Sequence, residues 1–248
     1  MRILLRLYSI YFYIIFIIAF IIVIPIILFL AQFKNLERAA LKVNRYWSWV
    51  FFKMIFIPVK FSFEQKLPKD QNYIFCANHF SYIDIPVIAG LPFPFKYIGK
   101  SSIKKIPVFG YMFAKLHITV DRSSIKNRAE SLRVSREAIQ RGFNITFFPE
   151  GGIITVNPPH MVNFKDGAFR LSIEENVPIV PVTMPDNYKI LPDDNAYLFR
   201  PKKCKVIVHK PIYPADHNYD LESIKAATKT VIEQELLRHH SKNVPSVH

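Results

Sequence analysis

The chain has 248 residues, half of them hydrophobic, and carries 33 Lys plus Arg against 19 Asp plus Glu, a net charge of +14. That length holds one domain with its own core beside an N-terminal segment, and two cysteines, Cys76 and Cys204, imply neither a disulfide framework nor a metal cluster. The excess positive charge calls for an anionic partner; without zinc-finger spacing, an aromatic RNA-binding motif or a basic heptad array, nucleic acid is set aside in favour of membrane lipid.

Leu7 to Phe33 contains no charged residue. As a helix it reaches about 40 Å at ~1.5 Å per residue, longer than the ~30 Å apolar core of a bilayer. The run passes through Pro25 into Lys34 and Arg38 without the small-residue cleavage site of a secretory signal, so it reads as a retained anchor. Basic residues on both flanks, Arg2 and Arg6 before it and Lys34, Arg38, Lys42 and Arg45 after it, leave its orientation open. Those last four recur at helical spacing, while Leu36, Ala40, Val43, Trp47, Val50 and Met54 form a different face, the pattern of a surface-lying helix. Tyr46 to Val59 is too short to span, so a true span and a hairpin that enters and leaves one leaflet both fit. Residues 1–60 are assigned to this membrane anchor and 61–248 to a single second domain.

From Tyr73 onward, short β-like runs alternate with helical patterns. Strands are expected at Tyr73 to Ala77, Lys96 to Ile98, His117 to Val120, Ile145 to Phe148, Ile179 to Thr183 and Lys205 to Val208. Helices are expected at Pro86 to Ala89, Val108 to Lys115, Asp166 to Glu175 and Leu221 to Leu237. Ser124 to Arg141, with Ile125, Ala129, Leu132, Arg136 and Ile139 three or four apart and Gly142 ending it, is expected to be the longest amphipathic helix of the domain. The alternation predicts an α/β fold with a mostly parallel central sheet flanked by helices, preceded by the hydrophobic membrane-anchoring helical segment. In such sheets functional groups lie beyond the carboxyl ends of the strands, where both His79 and Glu150 fall.

Asn78-His79-Phe80-Ser81-Tyr82-Ile83-Asp84 places a histidine and an aspartate within reach across a strand-to-loop turn. Two readings stand side by side. Ser81-x-x-Asp84 resembles a capping box, with Asp84 near the positive end of a helix opening at Pro86. Alternatively Asp84 holds one ring nitrogen of His79, leaving the other to take a proton from an alcohol, a task that suits an imidazole with an unperturbed pKa near ~6.5. The pair brings no nucleophile of its own, so the attacking hydroxyl would be the substrate's. Cys76, on the opposite strand face from His79 and set between Phe75 and Ala77, reads as core.

Downstream follow Lys100-Ser101-Ser102-Ile103-Lys104-Lys105-Ile106-Pro107-Val108-Phe109-Gly110, Ile118-Thr119-Val120-Asp121-Arg122, Phe148-Pro149-Glu150-Gly151 and Val177-Pro178-Ile179-Val180-Pro181-Val182. With these blocks in this order the chain closely resembles the 1-acylglycerol-3-phosphate acyltransferase family over roughly Tyr73 to Val182. The resemblance implies transfer of a fatty acyl group from acyl-CoA or acyl carrier protein to the free hydroxyl of a lysophospholipid at a membrane; the two cysteines fit a reducing cytosolic face, so the active site is expected to face the cytoplasm. The resemblance makes His79 the general base and Asp84 its partner, and Phe148, Pro149, Glu150 and Gly151 the acceptor-binding block. Backbone N–H groups at the following helix would hold the oxyanion, and no metal or redox cofactor is required. Lys100 and Arg122 are candidates to hold a phosphate, the first as a point charge and the second as a planar fork. Glu150 would bond the acceptor's glycerol hydroxyl or hold Arg122, or simply accept turn N–H groups, and Val177 to Val182 would be core with an acyl-chain wall.

The chain also departs from that pattern. Thr-Arg-Ser usually follows Glu-Gly, whereas here Gly152-Ile153-Ile154 does, so isoleucine stands at the arginine position. The second block usually opens with glycine, but Leu116-His117 precede Ile118. A lysolipid with less phosphate, such as a lyso-aminolipid, is the alternative acceptor, unless Lys165 or Arg170 supplies the lost charge. His160 reads as a loop histidine. A lipid hydrolase would need a Gly-x-Ser-x-Gly elbow, which does not occur, and a non-catalytic lipid-binding protein is the remaining rival. Acyl length, the choice of carrier and the oligomeric state are not readable from the residues.

Overall fold

A 29-residue helix, α1 (Arg2–Leu30), opens the computed structural model, which describes residues 2–121, 124–154, 157–194 and 196–241. Ser9, Phe12, Val23, Ile24 and Ile27 of α1 are buried, while Ile3, Leu7, Ile10, Ile14, Ile17, Ile21 and Phe29 are bare. The helix is long and apolar enough to cross a membrane, which points to membrane anchoring. α2 (Glu37–Met54) turns back against it, joined through the rings of Phe12, Phe16, Trp47 and Phe51. The Tyr8 hydroxyl donates to the Ile55 carbonyl at 2.6 Å and that of Tyr11 to the Met54 carbonyl, satisfying oxygens left open where α2 ends.

The buried arc of α2 keeps the expected face at Ala40, Val43 and Trp47 but is shifted from it elsewhere. Ala40, Leu41, Ser48, Phe51 and Phe52 are buried, whereas Val50 and Met54 are exposed. α2 packs on α1 and also on α3 (Asp84–Ala89), where Ser48 Oγ donates to the Pro86 carbonyl at 2.6 Å, so two neighbours rather than one set which side is covered.

The rest is an α/β layer structure: β1 (Val59–Phe63), β2 (Ile74–Ala77), β3 (Phe95–Lys100), α4 (Phe109–Leu116), β4 (Ile118–Val120), α5 (Ile125–Gln140), β5 (Asn144–Phe147), α6 (Gly167–Glu175), β6 (Ile179–Thr183), α7 (Asn187–Ile190), β7 (Cys204–Val208) and α8 (Leu221–Ser241). The strands form one sheet in the order β1-β7-β6-β2-β5-β3-β4, parallel except where β6 meets β7. Side chains alternate across it: Phe75 and Ala77 enter the core beneath α2 and α3, Ile74 and Cys76 the one beneath α5, α6 and α8. Cys76 is therefore core, and burial drives its thiol pKa upward, away from reactivity.

Two elements differ from expectation. α8 ends at Ser241 and not at Leu237, which makes it longer than α5, at 21 residues against 16. It runs past Leu237 through polar residues because His239 Nε2 meets Asp186 Oδ2 at 2.6 Å, which holds the last turn to the sheet. β1 lies inside no expected strand. It is short, alternately exposed at Lys60 and Ser62, and its partner β7 lies far along the chain, from Val59 opposite Cys204 onward.

Candidate active site

Because β2, β5, β3, β4 and β6 run parallel, the loops after them gather at one end of the sheet. His79 and Asp84 follow β2, Phe148 to Gly151 follow β5, Lys100 ends β3, and Met184 to Asn187 follow β6. Asn78 ties two of these loops together: its Nδ2 donates to the Met184 carbonyl at 3.1 Å and its Oδ1 accepts the Met184 N–H at 2.7 Å.

His79 Nδ1 lies 3.0 Å from Asp84 Oδ2. The same oxygen accepts the backbone N–H groups of Phe80 and Ser81, both at 2.9 Å, and Asp84 Oδ1 accepts Asn187 Nδ2 at 2.8 Å. Asp84 is fully buried and its recorded partners besides His79 are donors, so Nδ1 carries its proton toward the carboxylate and Nε2 keeps a lone pair. The capping and the catalytic readings are thus both realised by one carboxylate: the Ser81 N–H bond is the returning half of a capping box, and the His79 bond shares its oxygen. Ser81 Oγ, the expected other half, accepts the Ile83 N–H at 3.3 Å in place of that of Asp84 and donates to the Leu191 carbonyl at 2.7 Å.

Glu150 stands on the other side of His79. Its Oε1 accepts the His79 backbone N–H at 2.8 Å, and its Oε2 accepts the Val162 N–H at 3.4 Å. The side chain has no exposed surface, so its carboxylate meets backbone, as in the turn reading, and is shielded from solvent. Burial pushes its pKa up to about 7, a rise the two N–H bonds restrain and the nearby Asp84 reinforces. Gly151 closes the turn by donating to the Phe148 carbonyl at 3.0 Å, with a φ of +93° that favours glycine. Phe148 lies flat against the His79 ring, centroids 4.0 Å apart.

The amides of His79, Phe80 and Ser81, which precede α3, are committed to the carboxylates of Glu150 and Asp84. Lys100 is exposed at the end of β3, separated from β2 by β5, and makes no contact with the His79 pair. Gly110 of the same block explains its own presence: a Cβ there would sit 2.4 Å from the Ile103 carbonyl oxygen, where α4 packs on the turn at Ser101–Lys105. Arg122 lies outside the described residues. Lys165 and Arg170 are exposed; the Lys165 N–H donates to the Pro149 carbonyl at 2.8 Å. His160 is an exposed loop residue.

Residues the motif reading passed over complete the constellation. Cys204 Sγ donates to Asn187 Oδ1 at 2.9 Å, which aims the Asn187 amide at Asp84. Neither stands in a recognisable motif; they become neighbours of Asp84 only when β7 and the loop after β6 are in place.

Beside the loop carrying Tyr82, Ile83 and Ile85 opens a cavity of about 340 Å³, walled by α1, α2, α3 and α4. Phe12, Phe16, Phe20, Phe51, Phe109 and Met112 give it an almost wholly apolar lining. Tyr97, also in its wall, stacks on Phe148 at 6.3 Å, so the cavity and the His79 ring share one aromatic partition. Val177 to Val182 are core and take no part in this wall, because β6 lies in the interior of the sheet.

Residues 58–185 match the Acyltransferase family. A 1-acyl-sn-glycerol-3-phosphate acyltransferase of Chlamydomonas reinhardtii is 28% identical over 228 residues, 89% of this chain and 66% of that protein. A chloroplastic 1-acyl-sn-glycerol-3-phosphate acyltransferase of Brassica napus is 30% identical over 60% of this chain and 43% of its own length. The chain therefore spans from two fifths to about two thirds of these curated relatives. The fold is shared with the crystal structure of the 1-acyl-sn-glycerophosphate (LPA) acyltransferase PlsC from Thermotoga maritima, with a TM-score of 0.81, 24% identity, and coverage of 97% of this chain and 98% of that one.

Proposed function

This chain belongs to the acyltransferase family, and from that premise we propose that it converts 1-acylglycerol-3-phosphate to phosphatidic acid with acyl-CoA or acyl carrier protein as donor. The observation that carries the reading is the buried His79–Asp84 pair, 3.0 Å apart, with no serine, threonine or cysteine side chain hydrogen-bonded to the His79 ring among the described residues. His79 Nε2 takes the proton of the acceptor's free hydroxyl as that oxygen adds to the thioester carbonyl. Collapse of the tetrahedral intermediate breaks the C–S bond, and the leaving thiolate takes the proton back from the imidazolium. Ester and free thiol are the products.

Asp84 holds the ring and balances the imidazolium charge. Phe148 sets the ring plane, and the Phe148–Gly151 turn, held from behind by Glu150, forms the acceptor wall. Lys100, with Arg122, attracts the phosphate. The acyl chain occupies the apolar cavity, whose size and lining suit a hydrocarbon tail and which reaches the His79 loop from between α1 and α2. Residues 1–60 form the membrane unit and 61–248 the catalytic one. Contacts of α1 with the domain from Tyr8 to Ile27 favour a hairpin seated in one leaflet, with the active site on the cytoplasmic face.

The test uses purified protein, an acyl-CoA and a panel of acceptors. His79→Ala is expected to abolish transfer while the protein stays folded and membrane-bound; retained turnover defeats the mechanism. Preference for lysolipids without phosphate over lysophosphatidate would overturn the acceptor but leave the reaction. Release of free fatty acid with no acyl transfer would mark a hydrolase instead.

A further inference from the structure

α8 covers the sheet with one face, on which Ile224, Thr228, Ile232, Glu235 and Leu236 are buried. That face is complete at Leu236. Leu237 is 45% exposed, yet the helix continues through Arg238, His239, His240 and Ser241. Covering the sheet does not require this last turn.

What the turn meets is the segment after β6. His239 Nε2 lies 2.6 Å from Asp186 Oδ2, and Lys189 Nζ lies 2.8 Å from Asp186 Oδ1. Burial acts to raise the Asp186 pKa, but the contacts with Lys189 and His239 outweigh it and hold the carboxyl below its usual range. The carboxylate therefore accepts and the ring nitrogen donates. The neighbouring His240 ring lies 6.0 Å from Tyr188, and Tyr188 in turn meets Phe80 edge-on at 6.2 Å.

The catalytic loop leans on this same segment. Asn78 exchanges two hydrogen bonds with Met184, Asn187 Nδ2 donates to Asp84 Oδ1 at 2.8 Å, and Ser81 Oγ donates to the Leu191 carbonyl. The helix within the segment, α7, has four residues. So short a helix does not hold its shape alone, and its position is set by what surrounds it. Asp186 immediately precedes Asn187, so the His239 contact falls one residue from the amide that holds Asp84.

We propose that His239 is a positioning residue for acyl transfer: by fixing Asp186 it sets where the Asn187 amide stands, and through that amide the orientation of Asp84 and the His79 ring. The proposal rests on the reading of His79 as the general base and deepens it. Its effect reaches the chemistry only through geometry.

The experiment uses the purified full chain with an acyl-CoA and lysophosphatidate. His239→Ala is expected to lower kcat by roughly threefold to tenfold, the scale of one hydrogen bond, with KM for the acceptor unchanged. His239→Gln, whose amide can still donate to Asp186, should recover most of the rate. Arg238→Ala lies in the same turn but removes a partner of Glu235 within α8, and should leave kcat as it was. Combining His239→Ala with Asn187→Ala should cost clearly less than the product of the two single effects, because both act on one path. If His239→Ala does not fold, His239→Phe keeps a ring without the donor and takes its place. Unchanged kcat, equal loss in Arg238→Ala, no recovery by glutamine, or fully multiplicative effects would each overturn the proposal and leave the acyl-transfer reading standing. If the natural protein shows no transfer with any donor, that reading fails instead. Hydrogen–deuterium exchange of the 78–84 segment then decides: faster exchange in His239→Ala but not in Arg238→Ala supports the link from α8 to Asp84, and equal exchange overturns it.

Discussion

The loop around His79 and the cavity beside it treat buried polar groups in opposite ways. At His79, the Asp84 carboxylate has four donors, Glu150 has two, and the Asn187 amide is fixed by Cys204. In the cavity wall, Trp47 Nε1 is buried with no partner among the described residues. The difference teaches where each part's specificity comes from. The first is complete before substrate arrives, so its geometry is fixed by the fold and costs little to organise during reaction. The second offers an apolar surface, which selects by shape and not by hydrogen bonds.

The strongest way to break this contrast is to leave the His79 loop as poorly partnered as the cavity. Asp84→Ala strands the buried N–H groups of Phe80 and Ser81 and frees the His79 ring. Loss of transfer by about 10²- to 10⁴-fold is expected, with a stability loss of roughly 3 kcal/mol. Asp84→Asn should be little better despite its matching shape. Whichever way its amide turns, an NH₂ group meets donors, either Asn187 Nδ2 or the cluster on the other oxygen. Rates and denaturant midpoints measured together decide; near-normal turnover in either variant would show that the loop does not depend on its carboxylate.

A second prediction uses pH. Glu150 has a folded-state pKa of about 7 against 4.5 for a free carboxyl, so the folded state binds its proton more tightly than the unfolded state. Its contribution is therefore most favourable below pH 4.5 and is lost as pH rises through 7, in total about 3 kcal/mol. Glu150→Gln cannot titrate, but its oxygen can still accept the His79 N–H. Between pH 5 and 8 the stability of the natural protein should fall relative to this variant, followed as the difference in unfolding midpoint. A constant difference across that range would mean that Glu150 is not held in an apolar setting.

How much of this was legible in the residues follows the same division. His79 and Asp84 are close in sequence, and Phe148 to Gly151 form one contiguous block, so a local pattern exposed both. The alternation of strands and helices was readable because β2 is apolar throughout, β6 is apolar up to Thr183, and α5 is periodic. What Glu150 points at was not readable, since a carboxylate before Gly-Gly looks the same whether it faces a ligand or a backbone. β1 was hidden by its half-exposed pattern and its distant partner. The cavity could not be seen at all, because its walls come from α1, α2, α3 and α4 and meet only in three dimensions.

Asn187 and Cys204 were hidden for that reason too, and they supply the finer tests. Asn187→Ala removes the donor on Asp84 Oδ1 and leaves Cys204 without its acceptor. A destabilisation of about 1–3 kcal/mol is expected, with a fall in kcat larger than any change in KM for the acceptor, since Asn187 acts on Asp84 and not on the lysolipid.

Cys204→Ala probes the outermost link and should have the smallest effect. The thiol is a weak donor, and its pKa is driven up by burial, so it stays protonated and can continue to donate to Asn187 Oδ1. Replacing it with alanine loses that bond and leaves a small void beneath a fully buried loop, about 1 kcal/mol in all. The Asn187 amide is then free to flip, which would present its oxygen to Asp84 Oδ1. Transfer should fall several-fold, and Cys204→Ser, which restores a hydroxyl donor, should recover most of it. Recovery by serine but not by valine, which fills the space without donating, would show that orientation of Asn187 and not packing is what Cys204 contributes. Equal rescue by both would reduce its role to volume and end the polar chain at Asn187.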